Sequence, residues 1–355
     1  MRKIFWLLII AALAFAGWFA WAVLTPVSPP PQTILMLHPG YSTRRVATEL
    51  KSAGVIRSAN AFVLWKLISR RGSLKAGEYL FDKPANIIDV QKRLRRGDVY
   101  LHQVVVPEGY TIFEIARAIE AAGLGPAAEF LTVAQSDTEL IADIAPQAPS
   151  LEGYLFPETY EFTRMMSMKA MATAMVKQFR QVARQIGLLA AAPGESPGVA
   201  TPGDVQGSEG STHETATTDD VERIVIMASI VEKETAIAEE RPLVASVYYN
   251  RLARNIALDA DPSIIYGELL AGSYSGSLHH DDVSFHSRYN TYKYAGLPPG
   301  PIANPGKSAL EAAMRPAHSD YYYFVADAQG HHRFAKTMEE HNKNVNAYRR
   351  AMRER

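Results

Sequence analysis

Residues Ile4 to Leu24 form an uncharged apolar run that contains three tryptophans, and no second stretch of the chain has this character. At 1.5 Å per helical residue such a run reaches across about 30 Å of hydrocarbon. It therefore predicts a membrane-spanning helix that contacts the lipid bilayer through residues 4–24. Arg2 and Lys3 precede the run and no comparable positive cluster follows at once, an asymmetry that keeps the short tail cytoplasmic and exports the remainder. A cleaved signal peptide is the rival, since Ala20-Trp21-Ala22 loosely resembles a cleavage site. The run is longer than a usual signal core, which favours an uncleaved anchor over 1–25. Four prolines between Thr25 and Thr33 then predict a stiff tether over 26–33 that lets the first folded unit stand off the bilayer.

Beyond the tether an imperfect internal repeat appears. HPGYSTRRVATELKSAGVI (38–56) can be laid over PEGYTIFEIARAIEAAGLG (107–125). Each copy places Gly-Tyr-Ser/Thr before apolar positions, Val46 and Leu50 or Ile115 and Ile119, and closes on Ala-Gly and an aliphatic residue. The pattern predicts a strand, a tight turn and a short amphipathic helix ended by Gly54 or Gly123. Thr111 and Glu114 have capping-box spacing. Between the copies, Ala59 to Arg70 predicts a helix, KAGEYLF a strand, and Asn86 to Arg96 a helix ending at Gly97. VYLHQVVV (99–106) is the clearest strand, rich in β-branched residues. Tyr41, Tyr79 and Tyr110 are expected in the core rather than on a binding platform.

EGYLFPETYEF (152–162) packs three carboxylates and four aromatics around a proline. It predicts either an extended hinge or a wall of sugar contacts. Met165 to Leu189 is a long amphipathic helix whose methionines are packing material. Residues 192–220 are rich in Gly, Pro, Ser and Thr, contain no Lys or Arg, and cannot bury enough apolar surface to offset their ordering entropy. A mobile acidic loop is expected there, with the final Thr and Asp residues capping the next helix.

That helix carries MASIVEKETA (227–236). Ile224, Met227, Ile230, Val231 and Glu234 approximate one face, and Ala228, Ser229, Glu232 and Thr235 an adjoining one. Glu232 follows apolar and small residues to a place where a carboxylate is partly dehydrated, and such a group holds its proton nearer neutral pH, as a general acid must. The plainer alternative is a solvated Glu steadied by Lys233. Glu234 lies about 200° round an ideal helix from Glu232, which makes it a support rather than a facing partner. Pro242 should end or kink this helix, with Leu243 to Leu252 resuming as another. YNTYKYAGLPPGPIANPG (289–306) has too many Pro and Gly residues for a helix, yet it carries Asn290, Tyr292, Tyr294 and Asn304. Its amides and phenols suit a polar, carbohydrate-like ligand. HHDDVSFH (279–286) is metal-capable in residue type, but its spacing is not HExxH and no thiolate is present, so no metal site and no cofactor are expected. A helix from Lys307 to Met314, a strand pair within 321–335 and a helix from Glu339 to Arg353 close the chain.

Four blocks, EGYLFPETY (152–160), ASIVEKET (228–235), DPSIIYG (261–267) and YNTYKYAGLPPGPIANPG, follow one another in an order that resembles the endolytic transglycosylases of the bacterial murein wall, the MltG or YceG-like family, across almost the whole chain. Composition is compatible with that resemblance: 355 residues suffice for two folded units, Lys plus Arg equals Asp plus Glu at 37 each, and cysteine is absent. The charge balance gives no argument for a nucleic-acid partner. The fold class expected is α+β, with an N-terminal transmembrane helix, a small αβ module over 34–125 and a larger mixed α/β catalytic domain over 126–355. The resemblance makes the small module LysM-like and the enzyme a non-hydrolytic lyase facing the periplasm from the inner membrane. Its partners would be peptidoglycan glycan strands, with wall-synthesis proteins as further candidates.

The reaction so implied cleaves the MurNAc-GlcNAc β-1,4 bond of nascent strands and leaves 1,6-anhydroMurNAc ends. One carboxyl group, Glu232, suffices, because the muramic 6-hydroxyl is the nucleophile. Glu152, Tyr154, Glu158, Ser229, Asn290, Tyr292 and Asn304 are expected to contact the glycan, and Glu234, Asn250, Asp261, His332 and Asn342 to support the site. Two alternatives stand beside this: a noncatalytic wall-binding or division scaffold, and a two-carboxylate hydrolase with Asp259 or Asp261 as the second acid.

Overall fold

The structure is a computed structural model that describes residues 2–70, 72–190 and 217–353. It is α+β, and the chain forms two compact units: residues 1–103 with 161–166, and residues 104–160 with 167–355. Most of the acidic loop expected over 192–220, its residues 192–216, lies outside the described residues.

The first unit begins with helix α1 (Arg2–Leu24), which among the described residues is the one helix long and apolar enough to cross a membrane. Strand β1 (Thr33–Leu37), helices α2 (Thr43–Ser52) and α3 (Ala59–Ser69), strand β2 (Gly77–Phe81) and helix α4 (Ile87–Arg96) follow. β1 and β2 pair antiparallel, with Thr33 opposite Phe81 and Leu37 opposite Gly77. Leu37, Val46, Leu50, Phe62, Tyr79, Phe81, Val90 and Leu94 are buried together, each large side chain contributing about 1.5–3 kcal/mol by leaving water. Local chemistry sets the helix ends. Ser42, Ser58 and Asn86 cap the starts of α2, α3 and α4, and Gly97 ends α4 in the left-handed conformation.

The tether expected over 26–33 makes these contacts within the first unit. Ala22 and Val23, at the end of α1, are buried in the unit's core with Phe19 packed against them. Val27 exchanges both backbone hydrogen bonds with Ala85, at 2.9 and 3.0 Å. The Arg57 guanidinium donates to the Pro26 carbonyl and covers the Trp21 ring. The proline-rich segment is fastened because the apolar end of α1 supplies part of the core.

Strands β3 (His102–Val105) and β4 (Thr159–Phe162) carry passages of the chain between the units. The second unit holds helices α5 (Ile112–Ala121), α6 (Ala127–Ser136), α7 (Met168–Gln185), α8 (Thr218–Glu234), α9 (Arg241–Ala253), α10 (Asp261–Ala271) and α11 (Lys307–Met314), the antiparallel pair β5 (Tyr323–Ala326) and β6 (His332–Ala335), and helix α12 (Met338–Arg353). α8 contacts α9, α10 and α11. Its residues Val225 to Val231 are all buried, so it is wrapped on every side rather than striped, and Ile224 is left half-buried. Thr217 and Asp220 cap its start reciprocally, as the end of the acidic segment predicts. Pro242 sits in the first turn of α9 instead of kinking a longer helix, a position where its missing N–H costs nothing. In the 152–162 block only 159–162 is strand; Glu152 to Pro157 are a buried turn and the irregular backbone after it.

Candidate active site

Ser229, inside α8, fixes the proline-rich loop that follows α10. Its hydroxyl donates to the Ile226 carbonyl at 2.7 Å and accepts the Ile302 N–H at 3.0 Å. Asn304 continues the brace. Its amide donates to the Tyr110 carbonyl and to Glu152 Oε1, and its oxygen accepts the Leu155 N–H. The backbone closes the same contact, with Gly109 N donating to Asn304 O and Asn304 N to Tyr110 O, both at 2.9 Å. The PEGYT turn at 107–111 and the Pro-Gly turn at 305–306 are thereby held at the last turn of α8.

Glu232 projects into that place. One carboxylate oxygen accepts from Arg241 Nη2 at 2.7 Å and the other from the Gly306 N–H at 2.9 Å. The Glu232 and Arg241 side chains are only 5% and 6% exposed, whereas Glu108, 3.7 Å from the same guanidinium nitrogen, is 51% exposed. The Lys233 ammonium donates to the Gly109 carbonyl at 3.2 Å. Burial pushes the Glu232 carboxyl above its ordinary range, opposed by the Gly306 N–H and by Arg241, reinforced by Glu108 and opposed again by Lys233. An acid that keeps its proton through burial, with donors ready to receive its anion, can give and retake a proton.

The other expected site residues fall into separate groups. Glu152, Tyr154, Ser229, Asn290 and Asn304 are all buried; the polar partners of Glu152, Ser229, Asn290 and Asn304 are protein groups, whereas the Tyr154 hydroxyl has none among the described residues. Glu152 accepts the Ile112 N–H at the start of α5, and burial raises its carboxyl to about 8. Tyr154 meets Phe179 edge to face. The Asn290 amide donates to the Val283 and Phe285 carbonyls. Glu158 is exposed. A second group gathers round Glu234, whose carboxyl burial raises to about 7 beside the Tyr248 hydroxyl. Asp261 accepts the Tyr292 hydroxyl at 2.7 Å, and Asp259 pairs with Arg251 at 3.0 Å. Glu234 and Glu232 thus have different neighbours. Asn250 ties down the Ser319 and Tyr321 carbonyls. His332 holds Glu240, next to Arg241, at 2.7 Å, and Asn342 is exposed on α12. In the 279–286 loop the His279 ring meets Ser277 and the His286 ring meets Lys293.

Sequence reasoning missed Glu108, Arg241 and Gly306. A signal for Glu108 was present, since the first repeat copy has Pro39 at the matching position. Arg241 carried none, being one of many basic residues until the turn after α8 sets it against Glu232.

The profile of the YceG-like family matches residues 35–347. A Bacillus subtilis protein named endolytic murein transglycosylase is 31% identical over 346 residues, covering 92% of this chain and 88% of its own. A Streptococcus pneumoniae protein of the same name is 29% identical over 336 residues, and this chain spans 56% of its length. A crystal structure of a yceG-like protein from Listeria monocytogenes superposes with a TM-score of 0.52 at 30% identity, covering 89% of this chain and 99% of that one. The chain belongs to the YceG-like family, the family of the MltG-type endolytic transglycosylases.

Proposed function

We propose that this protein is an endolytic lytic transglycosylase that cleaves the MurNAc-GlcNAc β-1,4 bond of nascent peptidoglycan and leaves 1,6-anhydroMurNAc ends. The observation that carries the reading is the Glu232 carboxyl group, almost withdrawn from water and met on its two oxygens by Arg241 and the Gly306 N–H. Glu232 gives its proton to the glycosidic oxygen as the C1–O bond breaks. The muramic 6-hydroxyl oxygen then bonds to C1, and its proton returns to the Glu232 carboxylate, so no water is consumed. The attacking group is already part of the substrate, and its effective concentration replaces a second catalytic carboxylate. Asn304, Ser229 and Glu152 act in this reading by holding the loops around Glu232 instead of touching sugar. Exposed Glu158 and the Tyr292 phenol remain candidates for glycan contact.

The names of the relatives support the substrate class, and α1 supports anchorage in the inner membrane with the second unit outside the cytoplasm. Protease added to spheroplasts should digest that unit while inside-out vesicles protect it; the reverse pattern defeats the topology. The strand-helix-helix-strand order of β1, α2, α3 and β2 supports the LysM-like reading of the first unit. There a cavity of about 200 Å³ lined by His38, Tyr41 and Lys75 gives a sugar a place to lodge.

Glu232→Gln keeps the side-chain volume but has no proton to donate. It should fold, bind glycan and lose about 10²–10⁴-fold in formation of anhydro ends from uncrosslinked strands. Undiminished product from the folded variant overturns the assignment. Glu108 beside Glu232 favours a second reading, a two-carboxylate hydrolase, in place of one built on Asp259 or Asp261. Mass analysis decides between them, since hydrolysis adds water and leaves reducing ends.

A further inference from the structure

A lone acid that also pairs with arginine poses a chemical difficulty. At 2.7 Å the Arg241 guanidinium favours the Glu232 anion, which is the wrong form for protonating a leaving group. The structure offers a second place for that cation. Glu108 Oε2 lies 3.7 Å from the same nitrogen, half exposed and free to close the remaining distance. Gly306 makes room for it, because a Cβ there would overlap the Glu108 carboxylate. One residue thus donates its N–H to Glu232 and leaves its Cα bare for Glu108.

We propose that Glu108 is a positioning residue for Glu232 and acts through Arg241, which passes between the two carboxylates. When the guanidinium turns to Glu108, Glu232 stands without a counter-ion and keeps its proton for the glycosidic oxygen. When the proton has gone, the guanidinium returns and pairs with the new anion. Other charged groups near α8 are already engaged. Lys233 on α8 itself holds the Gly109 carbonyl, and Lys307 on α11 faces Glu311 at 3.9 Å. On α10, Asp261 accepts the Tyr292 hydroxyl, and Glu268 is coupled to Asp282 and His279. Glu240, next to Arg241 in sequence, is taken by His331 and His332. The inference rests on the transglycosylase reading of Glu232.

The test is the pH profile of kcat/KM for anhydro-end formation by the purified full-length protein in detergent on uncrosslinked glycan. Its alkaline limb reports loss of the acid's proton. Glu108→Gln leaves Arg241 to Glu232 alone, so the limb should move to lower pH by about one unit, with roughly tenfold less activity above it and an unchanged KM. Glu108→Asp should restore most of the limb. Arg241→Gln should move it the opposite way. A folded Glu108→Gln protein with the unmodified limb and rate overturns the exchange, as do shifts of the same sign in both charge variants. Failure of the underlying reading looks different, because the unmodified enzyme would then yield reducing ends or no cleavage.

Discussion

The two copies of the repeat are alike in backbone and unlike in employment. Helices α2 and α5 are both 10 residues long, capped by Ser42 and Thr111. The preceding glycines, Gly40 and Gly109, have φ of +82° and +76°, and the closing glycines, Gly54 and Gly123, +72° and +70°. Corresponding hydrogen bonds recur, from Tyr41 N to His38 O and from Tyr110 N to Pro107 O, and from Val55 N to Leu50 O and from Leu124 N to Ile119 O. A Cβ on Gly40 would meet nothing within 4 Å, whereas on Gly109 it would touch Glu232 and Lys233. Where the first copy has Pro39, the second has Glu108 beside Arg241. One local design can therefore stand clear of the candidate acid or serve as the wall beside it, and what it packs against decides which.

The sharpest way to break this contrast is at Gly306. Its φ is −76°, so alanine is unstrained there, and the Glu108 side chain it displaces is flexible. Gly306→Ala should leave the melting temperature nearly unchanged yet cut cleavage above neutral pH by about tenfold, matching Glu108→Gln. Normal activity would separate Glu108 from the chemistry.

The next effect is on stability and belongs to the second copy through Glu152 at the start of α5. Its carboxyl rises from an ordinary 4.5 to about 8 in the folded protein, so folding takes up a proton between those values. This contribution is fully present below about pH 4.5 and is lost as pH rises towards 8, at up to roughly 1.4 kcal/mol per pH unit. Thermal melts across pH 5–8 should show the decline, and Glu152→Gln should flatten it. An unchanged slope would detach Glu152 from the linkage.

Gly109→Ala and Gly40→Ala both place a side chain in left-handed backbone and should each cost about 1–2 kcal/mol in melting experiments. Only Gly109→Ala should also slow cleavage; equal activity losses would erase the distinction between the copies. Smallest are the caps, where Ser42→Ala and Thr111→Ala should each cost about 1 kcal/mol. Thr111 should cost the more, because its hydroxyl also donates to the Glu114 carboxylate at 3.0 Å.

What the sequence reveals follows from how local each feature is. The repeat was legible because turns and caps are built from residues a few positions apart, and Asn86, Gly97, Thr111 and Thr217 act where their chemistry predicts. Glu232 was legible from the apolar run that carries it indoors. Glu152 as a buried brace was not, since it joins Ile112, 40 positions away, and Asn304, 152 positions away. Nor were Asn290 and Asn304 separable from sugar-binding amides, because an amide that ties down a loop and one that grips a ligand are the same residue type until burial is known. Helix α6 went unseen for a related reason: Pro126 precedes it without a side-chain cap.

The seating of α1 in the first unit has a mechanical consequence. With Phe19, Ala22 and Val23 given over to the core, and Ala20, Trp21 and Leu24 exposed on the other flank, the stretch clear of the core on every side runs from Arg2 to about Trp18, roughly 25 Å at 1.5 Å per residue. That is a few ångströms less than a typical hydrocarbon layer. In a bilayer the shortfall draws the base of the unit down among the headgroups or thins the membrane round it. Because the helix and the unit share a core, tilting one turns the other, so a bilayer that held the helix would turn the first unit as a lever arm does.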